Sequence, residues 1–574
     1  MKIPTSFTAF LLGCVILITA CSRNAKLQTP SDDILINQIG YITTAAKYAL
    51  LRTGSESFQI KTKEGKVVFE GEAGSLTYWE LSGDSVQLAD FSELTTPGEY
   101  ILSAGDEISY PFKIENRLYS QLADAALKSY YFARCGVDLE ETFAGKWHRQ
   151  AGHPDTTVLV HVSAVDGYRP KGTAISSPGG WYDAGDFGKY IVNSGISTYT
   201  LLLSCELNKD YHLNQNLNIP ESTNDLPDIL DETLVNLRWM LTMQDPNDGG
   251  VYHKLTTKNF VGFVMPSETN EQRYVVQKST AATLDFAATM AHASQIVAKY
   301  GMDELSLQMK QAAEKAWNWA LRNPDVIYHQ PEDIFTGAYG DSNLKDEWFW
   351  AAAEMYLLDS SKRQYLDKIT ETYQQPATPS WGRVNTLGVI SLVCSEKRME
   401  FPNMESDFIL YADTLLYKEE ESPYVVSIDK FAWGSNSDVA NDGLVKLIAA
   451  RLTGDEKYVA SARNDLDYIL GRNACGYSFV TGFGSKSPMH PHQRISSADG
   501  VKDPMPGYLA GGPNTNVFTD CDQDKVQRSH FPASSYVDEE CSYSTNETAI
   551  NWNAPLVFLV SALDKTVQPN FRKQ

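Results

Sequence analysis

Near Asn116 the hydrophobic pattern changes its period from two residues to about 3.6, and that switch demands two domains of different kinds. From Ile34 to Ile114, short runs such as Ala49-Leu50-Leu51, Phe58-Gln59-Ile60, Lys66-Val67-Val68-Phe69, Ser85-Val86-Gln87-Leu88 and Gly98-Glu99-Tyr100-Ile101-Leu102 are separated by turn signals such as Glu64-Gly65 and Pro97. About eighty residues with a turn every 8–12 predict a small all-β, immunoglobulin-like sandwich over 33–115. Beyond it, twelve segments carry helical periodicity, from Tyr119–Arg134 and Gly188–Cys205 to Val439–Leu452 and Glu547–Leu563. Twelve helices are too many for one bundle and lack the strict period of a solenoid, whereas paired helices ringed about an axis, an α/α toroid, accommodate the count. The mainly α domain is expected over 116–574.

The first twenty residues have the form of a processing segment: Lys2 is the positive n-region, and the apolar run Phe7–Ala20 is too short to span a bilayer. Ile18-Thr19-Ala20-Cys21 resembles the lipobox of bacterial lipoproteins. It implies that Cys21 is lipidated, that 21–32 is a tether and that the protein is anchored at the cell envelope, on the outer-membrane, periplasmic or cell-surface face. The balance of 49 Lys+Arg against 72 Asp+Glu, −23 overall, argues against a nucleic-acid partner, because a phosphate backbone would meet a field of its own sign. A monomer acting on a neutral or cationic ligand is expected. Of the eight cysteines, six remain after Cys14 and Cys21, too few for a disulfide framework in so long a chain and without a Cys-x₂-Cys pair for zinc. Cys521 and Cys541 are close enough in sequence to bridge, and two free buried thiols are equally consistent.

Three clusters carry chemistry. In Gly179-Gly180-Trp181-Tyr182-Asp183-Ala184-Gly185-Asp186-Phe187-Gly188-Lys189-Tyr190, two carboxylates three residues apart can converge on one water, though the same pattern suits a helix cap. In Tyr536–Pro555, Glu547 opens the last helical segment, where the dipole favours its charged form; to act as an acid it needs burial against Trp552 and Tyr543, or a nearby carboxylate, to outweigh the dipole. Between them, His490-Pro491-His492-Gln493-Arg494 pairs imidazoles with a guanidinium, a poor setting for a metal and a good one for hydroxyl recognition and charge tuning. Trp181, Tyr182, Trp381 and Trp433 are candidate sugar platforms or core.

In this order the three clusters closely resemble glycoside hydrolase family 9, the inverting β-1,4-glucanases often called cellulases, and the likeness covers nearly the whole mature chain. Further matching stretches are Tyr130–Gly136, Asn218–Ser222, Leu226–Glu232, Asp248–Lys254, Thr336–Asp341, Trp433–Ser437 and Pro506–Asn514. The resemblance implies an (α/α)6 barrel preceded by an immunoglobulin-like domain, with Asp186 as general base, Asp183 helping to hold the water and Glu547 as general acid. It also implies that His492, Arg494 and Asp538 line sugar subsites or orient the acid. No cofactor is implied for catalysis. Members of similar architecture bind zinc near His148–His153 through a second thiol, which this chain lacks beside Cys135, His148 and His153, so zinc is not expected. A structural calcium is an alternative, with the acidic stretch Glu221–Glu232 as donor. An inverting pair must stand roughly 6.5–9.5 Å apart to admit water. The expected activity is endo-hydrolysis of cellulose-like chains, xyloglucan or mixed-linkage glucan. The alternatives are an exo-acting glucosidase or glucosaminidase of the same family, and a glycan-binding lipoprotein without turnover.

Overall fold

A computed structural model describes residues 29–564, so the signal segment, Cys21 and most of the tether lie outside the described residues. Two sheets form the N-terminal sandwich from β1 (Ile34–Leu35), β2 (Gly40–Ile42), β3 (Tyr48–Leu51), β4 (Ser57–Thr62), β5 (Val67–Glu72), β6 (Thr77–Trp79), β7 (Asp84–Asp90), β8 (Gly98–Ala104), β9 (Glu107–Ile108) and β10 (Phe112–Glu115). One sheet runs β1-β3-β7-β6; the other runs β2-β10-β8-β4-β5, with β9 on β8. The pairs are antiparallel except β2 with β10. Alternation does the work: Phe58 and Ile60 of β4 point inward to Leu102, Phe112 and Phe91, while Gln59 points outward to Glu70.

Twelve helices of ten or more residues follow among the described residues. They are α1 (Ser120–Ala133), α2 (Ile191–Leu207), α3 (Asp228–Thr242), α4 (Thr280–Lys299), α5 (Asp303–Arg322), α6 (Lys345–Leu358), α7 (Arg363–Thr372), α8 (Asn385–Cys394), α9 (Pro402–Glu421), α10 (Ser435–Thr453), α11 (Glu456–Ile469) and α12 (Ile550–Leu563). The even-numbered ones are buried nearly all round, as α2 shows from Ile191 to Cys205, whereas odd-numbered α7 and α9 bury one narrow stripe each. That contrast sorts them into an inner and an outer ring. Inner neighbours touch in sequence, α2 with α4, α4 with α6, α6 with α8, and α12 closes on α2 and α10. The fold is an (α/α)6 barrel.

The segments preceding inner helices gather at one end of this ring. Asp183 and Asp186 precede α2, His253 and Lys254 precede α4, Tyr339 precedes α6, Trp381 precedes α8, Trp433 precedes α10, and Glu547 precedes α12. A five-stranded sheet that hydrophobic periodicity does not announce crosses this end: β11 (Val158–Val160), β12 (Ala174–Ile175), β13 (Lys189–Tyr190), β14 (Lys254–Thr256) and β15 (Tyr274–Val275), in the order β12-β11-β15-β14-β13. Cys521 and Cys541 are bridged, which decides between the two readings of that pair.

Candidate active site

The Asp183–Asp186 loop turns on Gly179 and Gly180, both with positive φ (77° and 78°). The two carboxylates it presents differ in hydrogen bonding. Asp183 is buried with both oxygens engaged: Asn193 Nδ2 donates to Oδ1 (2.9 Å) and the Tyr339 hydroxyl to Oδ2 (2.7 Å). Burial, with Asp186 beside it, pushes its carboxyl up to about 8 against those two donors. On Asp186, the Gly188 N–H and the Tyr190 hydroxyl both donate to Oδ2 (3.0 Å each), and no donor among the described residues engages Oδ1. Oδ1 of Asp186 is therefore free of protein donors, whereas each oxygen of Asp183 already holds one and keeps a single further acceptor site.

Glu547 is not in the first turn of α12, which begins at Ile550 with Ala549 as its cap. It sits in extended backbone, its carbonyl accepting from Gly511 N–H (2.8 Å) and its Oε1 from Gly185 N–H (3.3 Å). Burial, then the charges of Asp186 and Asp183, hold its carboxyl well above the usual range, so the dipole that would ionise it is outweighed. The two loops are also tied through the backbone, Ile550 N–H donating to Asp183 C=O (2.9 Å).

The remaining predicted residues divide. His492 bridges in parallel to Glu547; its Nδ1 meets Glu540 C=O (2.6 Å), which can only accept, so Nδ1 carries the proton and Nε2 is an acceptor. Burial lowers its pKa and keeps it neutral. Arg494 clamps two loops, donating to Gly185 C=O from Nη1 (2.6 Å) and to Val261 C=O from Nε (2.9 Å), with Phe260 and Phe263 against its plane. Asp538 accepts from the N–H groups of Met489 and His490 (2.8 and 2.9 Å) and from Asn546 Nδ2 (2.9 Å), so it fixes the residue before Glu547 and not Glu547 itself. Trp433 is 45% exposed and packs at a tilt against Tyr543 (5.3 Å, 38°), whose ring in turn meets His492.

Trp181 and Tyr182 do not serve as platforms. Both are buried; Trp181 donates to Glu232 (2.8 Å) and packs on Tyr130, and the Tyr182 hydroxyl pairs with His153 Nδ1 (2.8 Å). The tight glycine turn drives them under the loop that carries Asp186. The calcium expectation also fails on the chemistry of its donors. Glu221 and Glu232 are both ion-paired to Arg134, Asp228 accepts from Leu217 N–H and Ser222, and Asp231 accepts from Asn224. Carboxylates bound to a guanidinium do not form a cation cage. Near His148, His153 spends both ring nitrogens on Tyr182 and Thr269. Among the described residues no group of three or more His, Cys, Asp or Glu is gathered to hold a metal.

Sequence reasoning missed Asn193, Tyr190 and Tyr339, the groups that make the two Asp residues unlike. Asn193 and Tyr190 follow Asp186 closely in the chain, but Tyr339 stands more than 150 positions away and only its presence in a matching stretch marks it.

The family profile for glycosyl hydrolase family 9 matches residues 119–560, and that for the cellulase N-terminal Ig-like domain matches 29–109. The chain belongs to glycoside hydrolase family 9. Among its relatives, a xyloglucan-specific endo-β-1,4-glucanase of Bacteroides ovatus is 43% identical over 571 residues, covering 96% of each chain. A cellodextrinase of Butyrivibrio fibrisolvens is 31% identical, covering 92% of this chain and 99% of its own. A solved family 9 structure from Bacteroides ovatus superposes with TM-score 0.86 at 43% identity, covering 93% of this chain and 99% of its own. This family 9 enzyme is an endo-β-1,4-glucanase, and the reading as a binding protein without turnover falls away.

Proposed function

We propose that the enzyme cleaves xyloglucan by a single displacement, with Asp186 as base, Asp183 as the holder of the water and Glu547 as acid. The observation that carries the assignment is the asymmetry of the aspartates: only Asp186 keeps an oxygen without a protein donor, while Glu547 is held neutral. Oδ1 of Asp186 takes a proton as the water oxygen bonds to the anomeric carbon, and Glu547 gives its proton to the departing O4 as the glycosidic bond breaks. Catalysis of this kind draws on side chains alone and needs no cofactor. His492 and Arg494 border the acid, and Trp433 offers a sugar platform on that side. The choice of xyloglucan rests on the extent of likeness to the Bacteroides ovatus enzyme.

The test is hydrolysis of xyloglucan, carboxymethylcellulose, mixed-linkage β-glucan and chitosan oligomers, with products followed by size and by proton NMR. Xyloglucan cleaved fastest, a rapid fall in viscosity and the α-anomer first are expected. Monosaccharide alone from the start supports an exo-acting enzyme, and β-anomer in the first spectrum overturns the single displacement. The lipid anchor belongs to the same reading and has its own test: Cys21→Ser is expected to move the protein, taken as a monomer, into the soluble fraction. Membrane retention of that variant removes the anchor.

A further inference from the structure

Lys254 lies on β14 next to His253 and is completely buried. Its ammonium donates to Gly337 C=O (2.5 Å), Thr336 Oγ1 (3.1 Å) and Gln330 Oε1 (3.1 Å), and among the described residues it forms no ion pair with a carboxylate. A buried charge without a paired carboxylate is expensive, and a chain that needed only a strut there would do better with a neutral side chain. Burial draws this ammonium down to about 7, and the charge that works the other way is Asp186.

Two aspects of its position connect Lys254 to the carboxylates. The first is the backbone it grips. Thr336 and Gly337 lead into Tyr339, which stands at φ 48°, a strained value for a tyrosine, and donates to Asp183. His253 Nε2 meets Ala338 C=O (3.0 Å), so His253 and Lys254 together hold three consecutive residues of that loop, 336–338. The second is the ring it overlies: the ammonium is 5.5 Å from the centroid of Tyr190, whose hydroxyl donates to Asp186 and whose ring abuts Tyr339 (4.7 Å).

We infer that Lys254 is a positioning residue for the water-activating half of the site, holding Tyr339 on Asp183 through the 336–338 backbone and placing a positive charge behind Tyr190 that favours the ionised base. The inference rests on the assignment of Asp186 as base.

The experiment uses the full chain with Lys254→Met, Lys254→Arg, Tyr339→Phe, the Lys254→Met/Tyr339→Phe double variant and Asp186→Asn, measuring kcat, KM and the pH profile on soluble xyloglucan. Lys254→Met is expected to lower kcat by about 10- to 100-fold with KM within about threefold. Its acid limb is expected to move to higher pH by roughly half to one unit, because a carboxylate that loses a nearby cation ionises later. The double variant is expected to be no worse than the poorer single one, since both act through one loop. Lys254→Arg keeps the charge and loses the fit, so kcat falls while the acid limb stays. A folded Lys254→Met with wild-type kcat overturns the inference, as does an unmoved acid limb with additive losses, which is what a strut would give. Should the Met variant fail to fold, a shifted acid limb in Lys254→Arg overturns it equally. Full activity in Asp186→Asn refutes the base assignment instead.

Discussion

Replacing Gly185 by Ala adds one methyl group at the point where the two carboxylate loops meet. The backbone of Gly185 is not in the left-handed region, so alanine brings no conformational penalty of its own. The added Cβ would lie 2.3 Å from the carbonyl oxygen of His492 and 3.1 Å from Glu547 Oε1, against ordinary contact from 3.4 Å. One side must therefore recede by about 1 Å, and a misplacement of about 1 Å at reacting groups costs about 100-fold in rate. Neither side is free to absorb it elsewhere. His492 N–H is bonded to Asn546 C=O (2.9 Å), and Gly185 C=O is pinned by Arg494 from N–H (3.2 Å) and Nη1 (2.6 Å). The carbonyl of His492 must give way, and because His492 is bridged to Glu547, whose Oε1 is itself 3.1 Å from the new Cβ, the displacement reaches the acid. Expected in Gly185→Ala are a kcat on xyloglucan lower by about 100-fold, a smaller loss on an aryl glycoside whose leaving group needs little protonation, and overpacking of about 1–3 kcal/mol. Steady-state kinetics on both substrates, with thermal unfolding as the control for folding, make the assay. A stable variant with wild-type kcat refutes the reasoning, because the loops would then not be packed as tightly as their function demands.

Glu547→Gln is expected to slow natural glucans by about two to four orders of magnitude and aryl glycosides less, whereas Asp186→Asn slows both alike; equal losses in Glu547→Gln would take the acid role from Glu547. Asp183 has a folded pKa of about 8 against an ordinary 3.8, so the native state loses stability as pH rises between those values, while an asparagine does not titrate. The melting temperature of Asp183→Asn relative to the native protein is therefore expected to climb from pH 4 to pH 8, and a constant difference counts against the raised value. The Cys521–Cys541 bridge closes a separation of 20 residues, worth about 3 kcal/mol in chain entropy, around the segment whose Asp538 and Glu540 hold His490 and His492. Cys521→Ser with Cys541→Ser should lower the unfolding temperature and raise KM; unchanged KM would detach that loop from the site.

Periodic segments carried the fold into the sequence, and the places where legibility failed have physical causes. All twelve long helices were legible, the outer ones from a buried stripe and the inner ones from their length and apolar content, and Lys345–Leu358 keeps the same limits in sequence and structure. The last helix starts at Ile550 and not Glu547, because the residues before it are drawn out to pair with His492 and Gly511. The sheet β11–β15 was invisible, since strands of two or three residues are too short to show alternation. At the site, the carboxylates were legible from local spacing and family likeness. Adjacency in the chain misplaced Trp181 and Tyr182, which share a glycine turn with Asp183 but point beneath it. Tyr339 and Lys254 owe their roles to tertiary approach, which no local pattern records.

The sandwich takes part in this site without reaching it. Between α11 and α12 the chain runs about eighty residues with only short helices, far beyond the usual length of a connection, and this run carries His492, Arg494, Asp538 and Glu540. Such a segment holds its shape only if something outside the barrel supports it. Gln38 donates from its N–H to Leu470 C=O (2.9 Å) and from Nε2 to Gly476 C=O (2.9 Å), and its Oε1 accepts from Lys486 N–H (2.8 Å). Asn37 reaches Asp467 (2.7 Å), Arg52 reaches Ala474 C=O (2.7 Å), and Leu81 C=O accepts from Ala533 N–H (2.7 Å). The anchored residues fall just before His490–Arg494 and just before Asp538–Glu540, the two pieces that meet at the acid. Four residues from the loops of the sandwich, Asn37, Gln38, Arg52 and Leu81, thus fix the backbone on which His492 is aimed. A domain with no group in the cleft is in this way part of the machinery that positions Glu547.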